Sequence, residues 1–159
     1  MITLEPLTKE DYATAATIFA ECRDFLVYIS GEKPDSTAIE LVAREAAAAA
    51  AHRAVFAGIR PAGSRSMIGV ATYQPSGYGG DPAAAWIALL LIAPPYRGKG
   101  YGARACRLIE HSVFVRGATS IRLGVLLNNP AAVLFWKTMG YRDIGIVKPH
   151  GSGHVVAVL

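Results

Sequence analysis

Glycines and cations crowd one short stretch of this chain, Pro94-Pro-Tyr-Arg-Gly-Lys-Gly-Tyr-Gly102, and together they point to anion chemistry. Glycines let backbone N–H groups turn outward and let a ligand approach the main chain closely. The stretch follows an apolar run of strand length, Trp86–Ile92, and leads into a segment of helical periodicity. A helix N-terminus carries unpaired N–H groups and the positive end of the helix dipole, so this position suits a phosphate. Arg97, Lys99, Arg104 and Arg107 gather there, and no acid occurs between Asp81 and Glu110. Cations at the positive end of a helix are locally unfavourable. A bound polyanion would compensate them; the competing reading is a set of long side chains that point into solvent.

The charge of the whole chain leans the same way. The net charge is +4, but residues 1–81 hold ten acids against seven Lys and Arg, while residues 82–159 hold two acids, Glu110 and Asp143, against nine. Such a split directs the C-terminal half toward an anion, with plain unevenness of surface charge as the alternative. Three polyanion-binding patterns compete for the loop. Gly98-x-Gly100-x-x-Ala103 formally fits a dinucleotide fingerprint, but the four residues Pro94 to Arg97 stand between the apolar run and the first glycine, and no acid follows about 20 residues later to meet a ribose. The phosphate-loop pattern GxxxxGK[ST] is absent. The third pattern is R-x-x-G-x-G of acyl-CoA-binding transferases, filled by Arg97, Gly100 and Gly102.

The elements that must position this loop can be read from periodicity. Ile2–Leu7 reads as a strand, and Thr8-Lys-Glu-Asp11 as a capping box before an amphipathic helix ending near Cys22. Residues 23–35 form an aromatic, partly acidic connection, and a second helix spans about Ser36–Ala51. Ala54–Arg60 and Met67–Tyr73 read as a hairpin. Trp86–Ile92 suits a central strand buried on both faces. The helix after Gly102 places Ala105, Leu108, Ile109, Ser112 and Val113 on one side and is closed by Gly117. Ile121–Leu127 is a strand, Pro130–Met139 a short helix, and Tyr141–Val147 and His154–Leu159 the last strands. The fold class is α/β, around one mixed sheet of six to seven strands flanked by about four helices. A length of 159 residues, with 52% hydrophobic and 18% charged residues, fits a single domain over residues 1–159.

From the motifs onward, the sequence resembles the GNAT superfamily of N-acetyltransferases. The apolar strand with Pro94-x-Tyr96-Arg97-Gly98-Lys99-Gly100-Tyr101-Gly102 is similar to the family's motif A. Asn129-Pro-Ala-Ala132-Val-Leu-Phe135-Trp136-Lys137-Thr-Met-Gly140-Tyr141 is similar to its motif B. The resemblance implies acetyl-CoA as co-substrate. It also implies that backbone groups of Leu91 and Ile92 pair with the pantetheine arm, and that the N–H groups of Gly98, Lys99, Gly100, Tyr101 and Gly102 hold the pyrophosphate, with charge from Arg97 and Lys99. Asn129 would contact the arm near the acyl end, and Phe135 and Lys137 the distal part of the cofactor, core packing being the competing role for Phe135. Gly140-Tyr141 reads as a turn into the next strand.

Acetyl transfer needs a neutral amine, a donor for the developing oxyanion and a leaving thiolate. A backbone N–H near Ile92 suits the second. The leaving thiol has a pKa of about 8.5, so it departs as a tolerable anion. In related sequences a tyrosine often stands where Trp136 stands and donates a proton, and a carboxylate often sits on the central strand; Trp86–Ile92 has none. Two readings of proton handling stand: positioning plus water, or Asp24 and Tyr28 in the connection that walls the acceptor side in this family, whose competing role is an ordinary solvated connection. His52, His111, His150 and His154 read as structural or surface residues without metal-ligand spacing, and no metal is expected.

The function expected is transfer of acetyl from acetyl-CoA to a primary amine of a small molecule or peptide; the alternative is a non-catalytic acyl-CoA-binding module. Nucleic acid is not an expected partner, because the basic residues follow the cofactor motif and no aromatic platform interleaves them. Nor is a membrane, since the longest apolar run, Ala83–Pro95, falls short of the ~20 residues a span needs. Two cysteines far apart, Cys22 and Cys106, and no apolar leader suit a reduced cytoplasmic setting, with one disulfide between them as the alternative. A homodimer is the default assembly for the family.

Overall fold

The computed structural model describes residues 1–23, 25, 26, 36–150 and 154–158. Among these, seven strands form one sheet in the order β1-β2-β3-β4-β5-β7-β6. The strands are β1 (Ile2–Pro6), β2 (Val55–Pro61), β3 (Gly69–Gln74), β4 (Ala84–Ile92), β5 (Ser120–Leu126), β6 (Ile146–His150) and β7 (His154–Val158). The main helices are α1 (Tyr12–Glu21), α2 (Ala38–Ala51), α3 (Tyr101–Val115) and α4 (Pro130–Thr138). All neighbouring strands run antiparallel except β4 and β5, which are parallel and joined by α3. The expected mixed α/β sheet is present, with β4 at its centre. No helix is long and apolar enough to cross a membrane among the described residues.

Two cores lie on opposite faces of the sheet. Ala105, Cys106, Ile109 and Val113 of α3 pack with Ile59, Ile68, Ile87, Leu123 and Trp136. On the other face Ala15, Ile18 and Phe19 of α1 and Val42 and Ala49 of α2 pack with Phe56, Val70, Leu89 and Leu91. Leu108, expected on the apolar side of α3, is 37% exposed; Cys106 takes its place in the core. Burial and the neighbouring Glu110 push the Cys106 thiol up to about 12.

Capping fixes where the first two helices begin. The Thr8 N–H donates to Asp11 Oδ2 at 3.0 Å, and Asp11 Oδ1 accepts from Arg60 of β2 at 2.6 Å. These contacts, the Thr8 N–H first, hold the Asp11 carboxyl below its ordinary range. A short 3-10 turn, Lys9–Asp11, precedes α1. At α2, Thr37 and Glu40 form a reciprocal box: Thr37 Oγ1 accepts from the Glu40 N–H at 3.3 Å, and Glu40 Oε2 from the Thr37 N–H at 2.8 Å.

The expected strand at Tyr141–Val147 starts late. Asp143 Oδ1 accepts from the Gly145 N–H at 2.8 Å, and Gly145 has a φ of 74°, so a side-chain-closed turn replaces the first half of that strand and β6 begins at Ile146.

The register between β3 and β4 slips once. Tyr73 pairs with Ile87 but Thr72 with Leu89, which leaves Ala88 as a bulge residue. The bulge changes which face each side chain takes: Ala85 and Ile87 join the α3 core, and beyond it Leu89 and Leu91 join the α1–α2 core. Past the bulge the two strands approach closely, and a Cβ at Gly69 would overlap the Leu91 carbonyl oxygen. Gly69→Ala is therefore expected to lower stability by on the order of 2 kcal/mol or more, read as a lower urea midpoint at unchanged slope.

Candidate active site

β4 and β5 pair only where Ala84–Ile87 meets Ser120–Leu123. Beyond that they part: Gly124–Leu126 turns to β7, while β4 runs on to Ile92 beside β3. The C-terminal half of β4 thus has one strand neighbour and one open edge. The Leu91 carbonyl faces β3, and the Ala93 N–H donates to Ile68 O at 2.9 Å. Strand alternation then turns the backbone groups of Leu90 and Ile92 toward the open edge. A cleft of about 550 Å³ follows this edge and continues along the start of α3 and one side of α4.

The loop after β4 begins with a 3-10 turn, Pro94–Tyr96. Gly98 and Gly100 both take positive φ, 71° and 77°, a region that suits glycine, and a Cβ at either would meet nothing within 4 Å. Gly100 is the N-cap of α3, with no side-chain cap and no acid in the first turn. The first ladder bond is Arg104 N–H to Gly100 O at 3.1 Å, and no backbone carbonyl among the described residues takes the N–H groups of residues 98–103. These N–H groups form an open cradle at the positive end of a 15-residue helix.

The cations around the cradle fold back along the loop. Arg97 Nε donates to Ile92 O at 2.8 Å, and Arg97 Nη2 to Cys22 Sγ at 3.2 Å. Lys99 Nζ donates to Pro95 O at 2.9 Å and lies 5.8 Å from the centre of the Tyr96 ring. Arg104 lies 5.7 Å from the centre of the Tyr101 ring, and Arg107 pairs with Glu110 at 3.6 Å. Burial pushes the Cys22 thiol up, with Arg97 working against that.

Of the residues singled out in the sequence, Leu91, Ile92, Arg97, Gly98, Gly100, Tyr101, Gly102, Asn129 and Phe135 line one cleft. Lys99 belongs to the same loop, whereas Lys137 is exposed on α4 and does not line the cleft. Phe135 lies over Gly102, 3.5 Å from where a Cβ there would stand, and meets Trp136 edge-on at 4.9 Å. Asn129 Oδ1 accepts from the Ala132 N–H at 3.1 Å, which makes it the N-cap of α4. Asp24 and Tyr28 lie outside the described residues.

In the sequence Phe25 has no assigned role in the site, and Trp136 is marked only as the replacement of a tyrosine. Phe25 and Trp136 border both this cleft and the hollow between the parting strands. Cys22 reaches the site from the α1 segment: its Sγ–H donates to Ile92 O at 3.7 Å, and Sγ accepts from Arg97 Nη2. The Tyr141 hydroxyl donates to Glu110 Oε1 at 3.2 Å, and burial pushes its pKa up. No carboxylate is among the described residues lining the cleft or the hollow.

The sequence matches the Acetyltransferase (GNAT) family over residues 18–141, and the chain belongs to that family. A stretch of 55 residues is 34% identical to the thialysine N-epsilon-acetyltransferase of Sus scrofa, covering 35% of this chain and 32% of the relative, so the match spans about a third of that protein. The fold is similar to an acetyltransferase from Thermus thermophilus, with a TM-score of 0.76 and 19% identity over 100% of this chain and 96% of the other. It is also similar to the spermidine N-acetyltransferase of Vibrio cholerae, solved in complex with CoA and spermine, with a TM-score of 0.72 and 20% identity over 99% and 92% of the two chains.

Asn129 can be assigned a structural share by substitution. Asn129→Ala is expected to cost about 1 kcal/mol in denaturant unfolding through the lost cap, and Asn129→Asp much less, because aspartate also caps. Any loss of function shared by both variants would then report on the cleft rather than on α4.

Proposed function

We propose that this chain transfers an acetyl group from acetyl-CoA to a primary amine of a small molecule or peptide. The observation that carries the reading is the continuity of the open β4 edge with the cradle of free N–H groups at the start of α3. Acetyl-CoA, when bound, supplies the activated thioester. The relatives support a small-molecule acceptor: one acts on thialysine, and another was solved with spermine.

The N–H groups of Gly98, Lys99, Gly100, Tyr101 and Gly102 would hold the pyrophosphate, where the helix dipole adds to their pull. Arg97 and Lys99 would add charge while bracing the loop against Ile92 O and Pro95 O. The pantetheine arm would pair with the open edge as a short extra strand through the backbone of Leu90 and Ile92, since Leu91, expected to pair as well, turns its backbone groups to β3. An N–H of Leu90 or Ile92 would donate to the developing oxyanion. Asn129 and Phe135 would flank the arm from α4.

The cofactor site is tested by calorimetry with acetyl-CoA. Micromolar binding is expected for the wild type and none for Gly100→Glu, which puts a carboxylate into the cradle. Gly100→Ala carries the same positive-φ strain without the charge, about 1 kcal/mol, and should keep most of the affinity. Absence of binding to the folded wild type would overturn the reading.

The rate should also report how the amine loses its proton. With no carboxylate among the described lining residues, kcat/KM for an alkylamine is expected to rise about tenfold per pH unit from neutrality toward the amine's own pKa, about 10. A plateau near neutral pH would reveal an internal base. Acetyl-CoA binding without thioester loss over an amine panel would favour a non-catalytic module.

A further inference from the structure

On the α1–α2 face of the sheet, a cavity of about 350 Å³ lies between α2, β3 and β4, next to the parting of β4 and β5. Its wall carries Glu45, His52, Thr72, Gln74, Tyr78 and Trp86. Three features mark it as more than a gap in packing.

First, Thr72 is 2% exposed, and its Oγ1 is the one buried side-chain polar atom without a hydrogen-bond partner among the described residues. A buried hydroxyl left unpaired costs on the order of 1–3 kcal/mol, which a ligand group could recover. Second, Tyr78 and Trp86 stack in parallel, 4.2 Å between ring centres and 11° between planes, and form an aromatic wall. Gln74 Nε2 donates to Ser76 O at 2.9 Å and so steadies the loop that carries Tyr78, leaving its own amide oxygen to accept. Third, Glu45 is half-buried with no cationic partner among the described residues, and no Lys or Arg lines the cavity. A lone carboxylate, acceptor oxygens and an aromatic wall together suit an organic cation.

The cavity neighbours the transfer site through the hollow between β4 and β5. It shares Trp86 and Ala88 with the hollow between β4 and β5, and that hollow shares Leu90, Asn129 and Trp136 with the cofactor cleft. The three spaces follow one another along β4. From Trp86–Ala88 to Leu90 is two to four residues, about 7–13 Å at the rise of a strand.

We infer that this cavity holds the far end of the acceptor, a second cationic group of an extended diamine whose other nitrogen reaches the open edge of β4. Glu45 is the counter-charge, Thr72 Oγ1 and the Gln74 amide oxygen accept N–H donors, and Trp86 covers the alkyl chain and the cation. The inference rests on the amine-transfer reading above and adds the specificity-determining residues to it.

Hexamethylenediamine and n-hexylamine are the probes, since they share a chain length and differ in the second charge. Intrinsic fluorescence reads binding without turnover, because the chain has two tryptophans, Trp86 and Trp136, and Trp86→Phe identifies the reporter. With CoA present, the diamine should quench saturably and bind about tenfold more tightly than the monoamine. Glu45→Gln should erase that preference while leaving acetyl-CoA affinity unchanged. In turnover the same variant should raise KM for the diamine about tenfold, with kcat within about twofold. Thr72→Val should raise the urea midpoint, by removing an unpaired hydroxyl, yet weaken diamine binding; a purely structural threonine would not move the two in opposite directions.

Equal affinity for the two amines, or a Glu45→Gln variant that keeps the preference, overturns the inference. The two readings fail separately. Product formed from both amines with equal efficiency leaves the transfer reading standing and removes the cavity's role. Diamine held at Trp86 without any acetylated product keeps the cavity and removes the transfer reading.

Discussion

A strand left half-paired in the middle of a sheet is the constraint on which this structure turns. β4 is paired on both sides only at Trp86 and Ile87, and from Leu89 to Ile92 with β3 alone. Unpaired backbone groups inside a fold are costly, and native proteins seldom leave them without a partner. Here one of them is provided for: Ile92 O takes the Arg97 guanidinium, which also ties the end of the strand to Cys22 of the α1 segment. The others line a cleft. The Ala88 bulge makes the arrangement possible, because it lets one strand serve the α3 core before the bulge and the α1–α2 core after it. A regular strand would keep one set of side chains on each face throughout, and the two cores could not close around the opening in this way.

The helix ends show where anion chemistry has been favoured over local stability. α2 is capped by Thr37 and Glu40, and α4 by Asn129. α3, at 15 residues, has neither a side-chain cap nor an acid in its first turn. Caps contribute about 1 kcal/mol each, so a bare N-terminus on a core helix is a local loss. The loss leaves N–H groups free at the positive end of the dipole. The nearby cations do not crowd them, because Arg97 is folded onto Ile92 O at the end of β4 and Lys99 onto Pro95 O of the loop. The same logic separates the two ends of β4: a basic C-terminal half surrounds the cradle, while the cavity by Trp86 carries a carboxylate and no Lys or Arg.

What could be read from the sequence was whatever local chemistry dictates. The glycine loop, the continuous apolar run of β4, the hairpin and the order of elements all follow from periodicity and from residues with one conformational use. Three features resisted. The late start of β6 depends on a single Asp143–Gly145 contact that competes with strand pairing. The exposure of Leu108 depends on which face of α3 the sheet's curvature covers, and Cys106 fills the position instead. The parting of β4 and β5 depends on register, and nothing in the residues Trp86–Ile92 marks Ala88 as the bulge. The stacking of Tyr78 on Trp86 likewise joins a loop to a strand that sequence spacing does not relate.

The place of Trp136 bears on how much acid chemistry the site requires. Its indole is buried, edge-on to Phe135 at 4.9 Å and to Tyr141 at 5.2 Å. The tyrosine hydroxyl nearest in sequence, that of Tyr141, donates to Glu110 and lies against Cys106 in the α3 core, away from the cleft. Under the proposed transfer, position 136 therefore shapes the wall and donates no proton to the sulfur. A thiol with a pKa of about 8.5 is a weak enough base to leave as the anion near neutral pH, so protonation by solvent after departure suffices. The demand on the protein then falls on the step that solvent serves poorly: bringing a neutral amine and a fixed backbone donor to the same carbonyl. A rigid strand edge between two packed cores meets that demand with main-chain atoms, which leaves the side chains around it free to choose the acceptor.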